Sequence, residues 1–216
     1  MNKYHKILTV YKRDPETKFK YLLDEYATPE FEYLAGNKWI WTEKVDGMNI
    51  RVMWDGELVR YGGRTDHAQI PAFLLHKLDE LFDDDLFSEL YPETSFCLYG
   101  EGYGSKIQKG GGNYSDSQSF ILFDVRIGDI WLERENVENI AEELGIRVIP
   151  VVWHGTLNDA IHMAHDGFNS EIPDGGIFKG VLAEGLVMRP ERELLDRRGN
   201  RIITKIKYKD FRREIK

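Results

Sequence analysis

The sequence predicts an α+β fold with antiparallel sheets flanked by helices. Three observations carry the prediction. Strand-like runs are joined through Asp55-Gly56 and Gly128-Asp129, helical stretches occur singly between such runs, and no regular strand–helix alternation appears. Hydrophobic residues form 42% and charged residues 31% of 216 residues, the balance of a chain that buries a core. At this length a single domain spanning 1–216 is expected.

In chain order, Thr28-Pro29 reads as an N-cap followed by an N1 proline, opening a short helix that stops near Gly36. Residues 38–61 give the first clear strands: KWIWTEK, MNIRVMW and ELVRY are rich in aromatic and β-branched residues, with Asp55-Gly56 turning between the last two. Phe73, Leu74, Leu78, Leu81 and Phe82 recur at helical spacing and predict one amphipathic helix over 71–90. Its acidic face, Asp79, Glu80, Asp83, Asp84 and Asp85, is then solvated. SFCLYGE (95–101), SFILFDVRI (119–127), RVIPVVW (147–153), EGLVMR (184–189) and RIITKIKY (201–208) predict further strands. Helices interrupt them over 133–144, closed by Gly145, and over 157–166, capped by Thr156 and closed by Gly167. The loop around Gly110-Gly111-Gly112 lacks the G-K-[ST] ending of a phosphate cradle and reads as a mobile substrate-side loop bearing Lys106 and Lys109.

The formal charge of −8 excludes a generic basic DNA-coating protein. The charge is uneven, because Arg197, Arg198, Arg201, Lys205, Lys207, Lys209, Arg212, Arg213 and Lys216 oppose only Asp210 and Glu214 near the C-terminus. Cys97 is the only cysteine, which excludes an intramolecular disulfide and suits a reducing, cytoplasmic setting. No apolar run reaches the length of a span, so no membrane association is expected. The six histidines lack metal-ligand spacing; His162 and His165, three apart on a helix, read as structural.

Lys44-Val45-Asp46-Gly47 lies at the end of the first strand, with Glu43 before it and Asn49 five positions after the lysine. RYGGRTD (60–66), LYGEGYG (98–104), FILFDV (120–125), AEGLVMRP (183–190) and ITKIKYKDF (203–211) follow in order. These six ordered blocks, spanning 43–211, resemble the covalent nucleotidyltransferase superfamily of ATP-dependent ligases and mRNA capping enzymes. The resemblance implies that Lys44 attacks the α-phosphate of ATP to form lysyl-AMP, while Asp46 and Gly47 shape the loop around it. It further implies that Glu101 contacts the ribose, that Phe123 or else Phe120 stacks on the purine, and that Glu184 attends a divalent cation, Mg²⁺ or Mn²⁺. Lys205 and Lys207 match the two lysines near the α-phosphate.

The chemistry makes its own demands. A lysine nucleophile has a reference pKa of about 10.4, so burial or nearby cations must lower it. Lys205 and Lys207 alternate with Ile206 along a strand and so share a face. Phosphoryl transfer builds negative charge that calls for cationic donors and a divalent ion, and Arg64, Lys205 and Lys207 suit the donor role. Asn49 matches the RNA ligase 2 type, where DNA ligases and capping enzymes generally carry arginine. Glu43 suits the adenine amino group, because a carboxylate accepts from N6 whereas guanine offers a carbonyl there; ATP is thus expected over GTP.

The expected activity is ATP-dependent joining of RNA 5′-phosphate and 3′-hydroxyl ends. A DNA nick ligase of the same superfamily, and a nucleotide- or RNA-end-binding module without turnover, are the rival readings. Only a few residues follow Phe211, so no OB-fold or helical C-terminal domain is expected. Either the domain works alone with modest affinity or it borrows an accessory domain or protein.

Overall fold

The computed structural model describes residues 3–173 and 180–211. Arg212, Arg213 and Lys216 of the basic C-terminal run lie outside the described residues. The chain begins with strands β1 (Leu8–Thr9), β2 (Tyr11–Arg13) and β3 (Leu22–Tyr26), helix α1 (Pro29–Tyr33) and β4 (Trp39–Glu43). It continues through β5 (Met48–Trp54), β6 (Val59–Gly63), α2 (Ala72–Leu81), α3 (Asp84–Leu90), β7 (Phe96–Gly104), β8 (Gln118–Ile127), β9 (Ile130–Trp131) and α4 (Arg134–Glu143). β10 (Arg147–Val148), β11 (Val151–Gly155), α5 (Leu157–Asp166), β12 (Gly185–Pro190) and β13 (Thr204–Lys207) complete it.

These elements form two compact units, and the chain passes between them inside the Lys44–Gly47 motif, after Val45. The first unit takes in 3–5, 46–149 and Pro173. Its sheet runs β10-β8-β7-β5-β6, with β9 on β8; every pair is antiparallel except β10–β8. Period-two alternation decides its faces. Ile50, Val52 and Trp54 of β5 and Phe96 and Leu98 of β7 join Leu74 and Leu78 of α2, Phe87 of α3 and Val137 and Ala141 of α4 in one core. Asn49, Arg51, Tyr99 and Glu101 therefore occupy the opposite face, which is also where the buried Cys97 lies.

The second unit takes in 6–45, 150–172 and 180–211. Its sheet runs β1-β13-β12-β4-β11, antiparallel apart from β1–β13, and β2 and β3 form a separate ribbon. Trp39 and Trp41 of β4, Leu186 and Met188 of β12 and Ile206 of β13 pack with Leu157, Ala160, Ile161 and Ala164 of α5. The sequence signals for α5 are met in full: Thr156 accepts from the Asp159 N–H, and Asp159 closes the capping box in return.

Three expectations change. The helix predicted over 71–90 is two helices, because Phe82 is extended and Asp83 caps α3 by accepting from the Asp85 N–H. A short polar side chain competes here with helix continuation. Asp84 is not a solvated charge either; it accepts the Val59 N–H at 2.6 Å. The single strand predicted over 147–153 breaks at Ile149-Pro150, giving β10 to the first unit's sheet and β11 to the second's. In the triglycine loop Gly111 is buried, and a Cβ there would sit 2.1 Å from the Gly104 carbonyl oxygen, whereas Gly112, Lys106 and Lys109 are exposed.

Candidate active site

In the second unit, β4 delivers Lys44 to the end of its sheet, where its backbone N–H donates to the Gly185 carbonyl at 2.9 Å. Lys44 Nζ donates to Glu184 Oε2 at 2.5 Å and to the Val45 carbonyl at 3.3 Å. Glu184 Oε1 receives Lys207 Nζ at 2.5 Å, and Lys209 Nζ stands 3.9 Å from the same oxygen. Three ammonium groups thus surround one carboxylate that is only 10% exposed. Burial by itself would raise the Glu184 carboxyl, but the charge of Lys44 and the hydrogen bonds from Lys207 and Lys44 outweigh it, so the group lies below the ordinary carboxylate range and stays ionised. The local excess of positive charge suits a polyphosphate.

The register explains the cluster. Gly185 stands opposite Lys207, and Val187 stands opposite both Lys205 and Thr42, so Lys205 and Lys207 share the face away from α5. Gly185 has a φ of 156°, and a Cβ there would lie 2.1 Å from the Ile206 carbonyl oxygen; glycine is required for β12 and β13 to meet this closely beside Glu184. Just past β13, the buried Asp210 accepts the Lys207 N–H at 3.0 Å and Arg13 Nη2 at 2.7 Å, fixing the strand end.

Glu43 lies on the other face of this sheet. It pairs with Leu186, whose side chain faces the α5 core, so its carboxylate points to the opposite side of the sheet from Lys205 and Lys207. There it is 2% exposed and accepts from the Ser170 hydroxyl and from the Glu171 N–H at 2.8 Å. The physical reason is strand alternation, which turns neighbouring side chains to opposite faces. Glu43 fastens the turn at 170–172.

In the first unit, Asp46 follows directly, its N–H donating to the Tyr114 hydroxyl at 3.2 Å. A Cβ on Gly47 would lie 2.4 Å from the Gly102 carbonyl oxygen and 2.7 Å from Glu101 Cγ, so the loop passes tightly over β7. Asn49 stands directly opposite Glu101, and its Oδ1 is buried without a hydrogen-bond partner among the described residues. An orphaned acceptor on the helix-free face, beside a carboxylate, suits a ligand that brings hydroxyl or amino donors.

The two phenylalanine candidates separate. Phe120 is 1% exposed and fills the space over Gly100 in the helix-side core. Phe123 sits where β8 bulges, between residues paired with Tyr99 and Gly100, and is half-buried. Its ring meets that of Tyr4 edge-on at 5.1 Å, while the Tyr4 hydroxyl donates to the buried Asp124 at 2.5 Å. Arg64 is exposed just after β6.

Among the described residues no three His, Cys, Asp or Glu side chains gather as a metal site. Both oxygens of Glu184 are held by lysine ammonium groups, so a hard divalent ion would reach this carboxylate only by displacing one of them, with phosphates and water completing its shell. Sequence reasoning missed Tyr4, Arg13, Ser170 and the bracing role of Asp210. Tyr4 and Asp124, Ser170 and Glu43, and Arg13 and Asp210 are between 120 and 197 residues apart in the chain, and no local spacing signals such contacts.

The RNA ligase family model matches residues 37–208. Solved structures of Naegleria gruberi RNA ligase resemble the chain in fold. A mutant in its apo form is 20% identical with a TM-score of 0.65, covering 84% of this chain and 52% of that one. A mutant with ATP and Mn is 21% identical with a TM-score of 0.65, covering 84% and 54%. The same ligase with PPi is 21% identical with a TM-score of 0.63, covering 83% and 52%. The chain spans about half the length of these ligase chains.

Proposed function

We propose, from the fact that this chain belongs to the RNA ligase family, that it is a nucleotidyltransferase domain catalysing ATP-dependent joining of RNA ends. The observation that carries the reading is the position of Lys44 Nζ, 2.5 Å from a carboxylate that Lys207 also holds. A lysine so placed is oriented and surrounded by charges able to receive a triphosphate.

In this reading Lys44 Nζ, once it has lost its proton, attacks the α-phosphorus of ATP. An N–P bond forms, the bond to the pyrophosphate oxygen breaks, and lysyl-AMP results. The 5′-phosphate of an RNA end then displaces the lysine and takes the AMP. A 3′-hydroxyl attacks that activated phosphorus, expelling AMP and forming the phosphodiester. Lys205 and Lys207 stabilise charge on the α-phosphate, and Arg64 serves the outer phosphates. Asn49 and Glu101 bind the sugar side of the nucleotide, Phe123 stacks on the base, and Asp46 and Gly47 shape the loop after the nucleophile. A divalent cation, Mg²⁺ or Mn²⁺, supplies charge neutralisation at the phosphates, with Glu184 as its protein ligand. Solved relatives carrying ATP and Mn support this choice of nucleotide and ion.

Incubation with ATP labelled at the α-phosphate and Mg²⁺, followed by denaturing electrophoresis, tests the reading. Wild type is expected to retain label from ATP in preference to GTP, and Lys44→Ala to lose it by more than about a thousand-fold. Folded wild type that binds ATP stoichiometrically without covalent label would instead be a binding module.

A further inference from the structure

The loop between β2 and β3 precedes the residues matched by the family model. It is tightly held and yet presents an aromatic ring to solvent. Lys18 and Phe19 are both left-handed, with φ of 54° and 61°, a conformation unfavourable for L side chains. The surroundings enforce it. The Lys18 N–H donates to the Pro15 carbonyl at 3.0 Å, the Phe19 N–H to the Asp14 carbonyl at 2.9 Å, and the Asp14 N–H to the Tyr21 carbonyl at 3.0 Å. Arg13 Nη1 donates to the carbonyls of Phe19 and Lys20 at 3.2 and 3.3 Å, while Nη2 reaches Asp210, the residue that holds the Lys207 N–H.

The result of this bracing is exposure. Phe19 is 60% exposed between Lys18 and Lys20, which are also exposed. Lys20 Nζ lies 5.0 Å from the centre of the Tyr21 ring, and Glu16 is the exposed acid of the loop. Strain that is maintained without adding to a core points to a ligand-facing group. An exposed flat ring flanked in the chain by two exposed lysines matches one unpaired base with its neighbouring phosphates, which is how sequence-tolerant single-strand binding sites are built.

We propose that Lys18-Phe19-Lys20 is a stacking platform for an unpaired base of single-stranded RNA beside the end being joined. The choice of RNA rests on the ligase reading; the platform geometry does not. The test measures binding of a short, dye-labelled, 5′-phosphorylated single-stranded RNA to the full chain by fluorescence anisotropy. Phe19→Gly is expected to weaken binding about ten-fold while holding or raising the melting temperature, since glycine accepts the positive φ. Phe19→Trp is expected to bind as wild type. The double variant Lys18→Ala/Lys20→Ala is expected to make the log K against log salt slope shallower by about 1.4. None of these variants should alter labelling from ATP alone. Unchanged binding by Phe19→Gly, or equal losses in Phe19→Gly and Phe19→Trp, would overturn the proposal. Wild type that binds RNA in this pattern but takes no label from ATP would sink the ligase reading and leave the platform standing.

Discussion

Glu184 shows how one buried carboxylate can gather several ammonium groups. Its carboxyl is held below its ordinary range, so its ionised form stabilises the fold above the carboxylate value of the unfolded chain, and that contribution is lost as pH falls through the lowered folded value. Glu184→Gln leaves Lys44 and Lys207 facing each other without a counter-charge. It should cost about 1–3 kcal/mol at pH 7 and flatten the acid limb of stability, as urea unfolding at pH 7 and pH 3 would reveal. Equal stability of variant and wild type at pH 7 would contradict the arrangement. Ser170 acts on the other face of the same sheet. Ser170→Ala removes the hydroxyl bond to Glu43 and should lower stability by about 1 kcal/mol without changing lysine labelling. Lys44, Lys207 and Glu184 were legible in the sequence because each lies in a compact ordered block. The orientation of Glu43 was not, since it depends on which residue of β4 faces α5, and that follows from partner strands far along the chain.

Elements recover their sequence signals unevenly. The turn at Gly128-Asp129, with Gly128 at φ 56°, and the Thr156 capping box are local chemistry, and both were readable. β1 to β3 were not, being two to five residues long and rich in charged and polar side chains whose pairing is decided by β13 and by one another. The break between α2 and α3 was hidden by apolar spacing that continues through Phe82, a residue that stays buried although its backbone leaves the helix. Close packing between β7 and β8 gives a sharper test. A Cβ on Gly100 would lie 2.1 Å from the Phe120 ring and 2.5 Å from the Ile121 carbonyl oxygen, whereas one on Gly36 meets nothing within 4 Å. Gly100→Ala should therefore destabilise by about 1–3 kcal/mol and Gly36→Ala by far less, measured as shifts in the urea midpoint.

At the scale of the whole molecule, neither unit is a continuous stretch of chain. The second is assembled from three segments, and β12 lies between β13 and β4. A chain ending at residue 183 would lose Leu186, Met188, Ile202 and Ile206 from that core. It should show no cooperative thermal transition in that unit and little soluble yield, whereas a sharp native-like transition would show that the core tolerates the loss. The overall charge of −8 coexists with the cationic setting of Glu184, so net charge was a poor guide to a site whose field is local. The molecule's one cysteine has a practical meaning. Cys97 is 2% exposed and burial pushes its thiol up to about 11, leaving it protonated and out of reach of maleimides near neutral pH. Gly36→Cys, in open space, would then be the sole reactive thiol, so a single dye or spin label can be attached without first mutating the core.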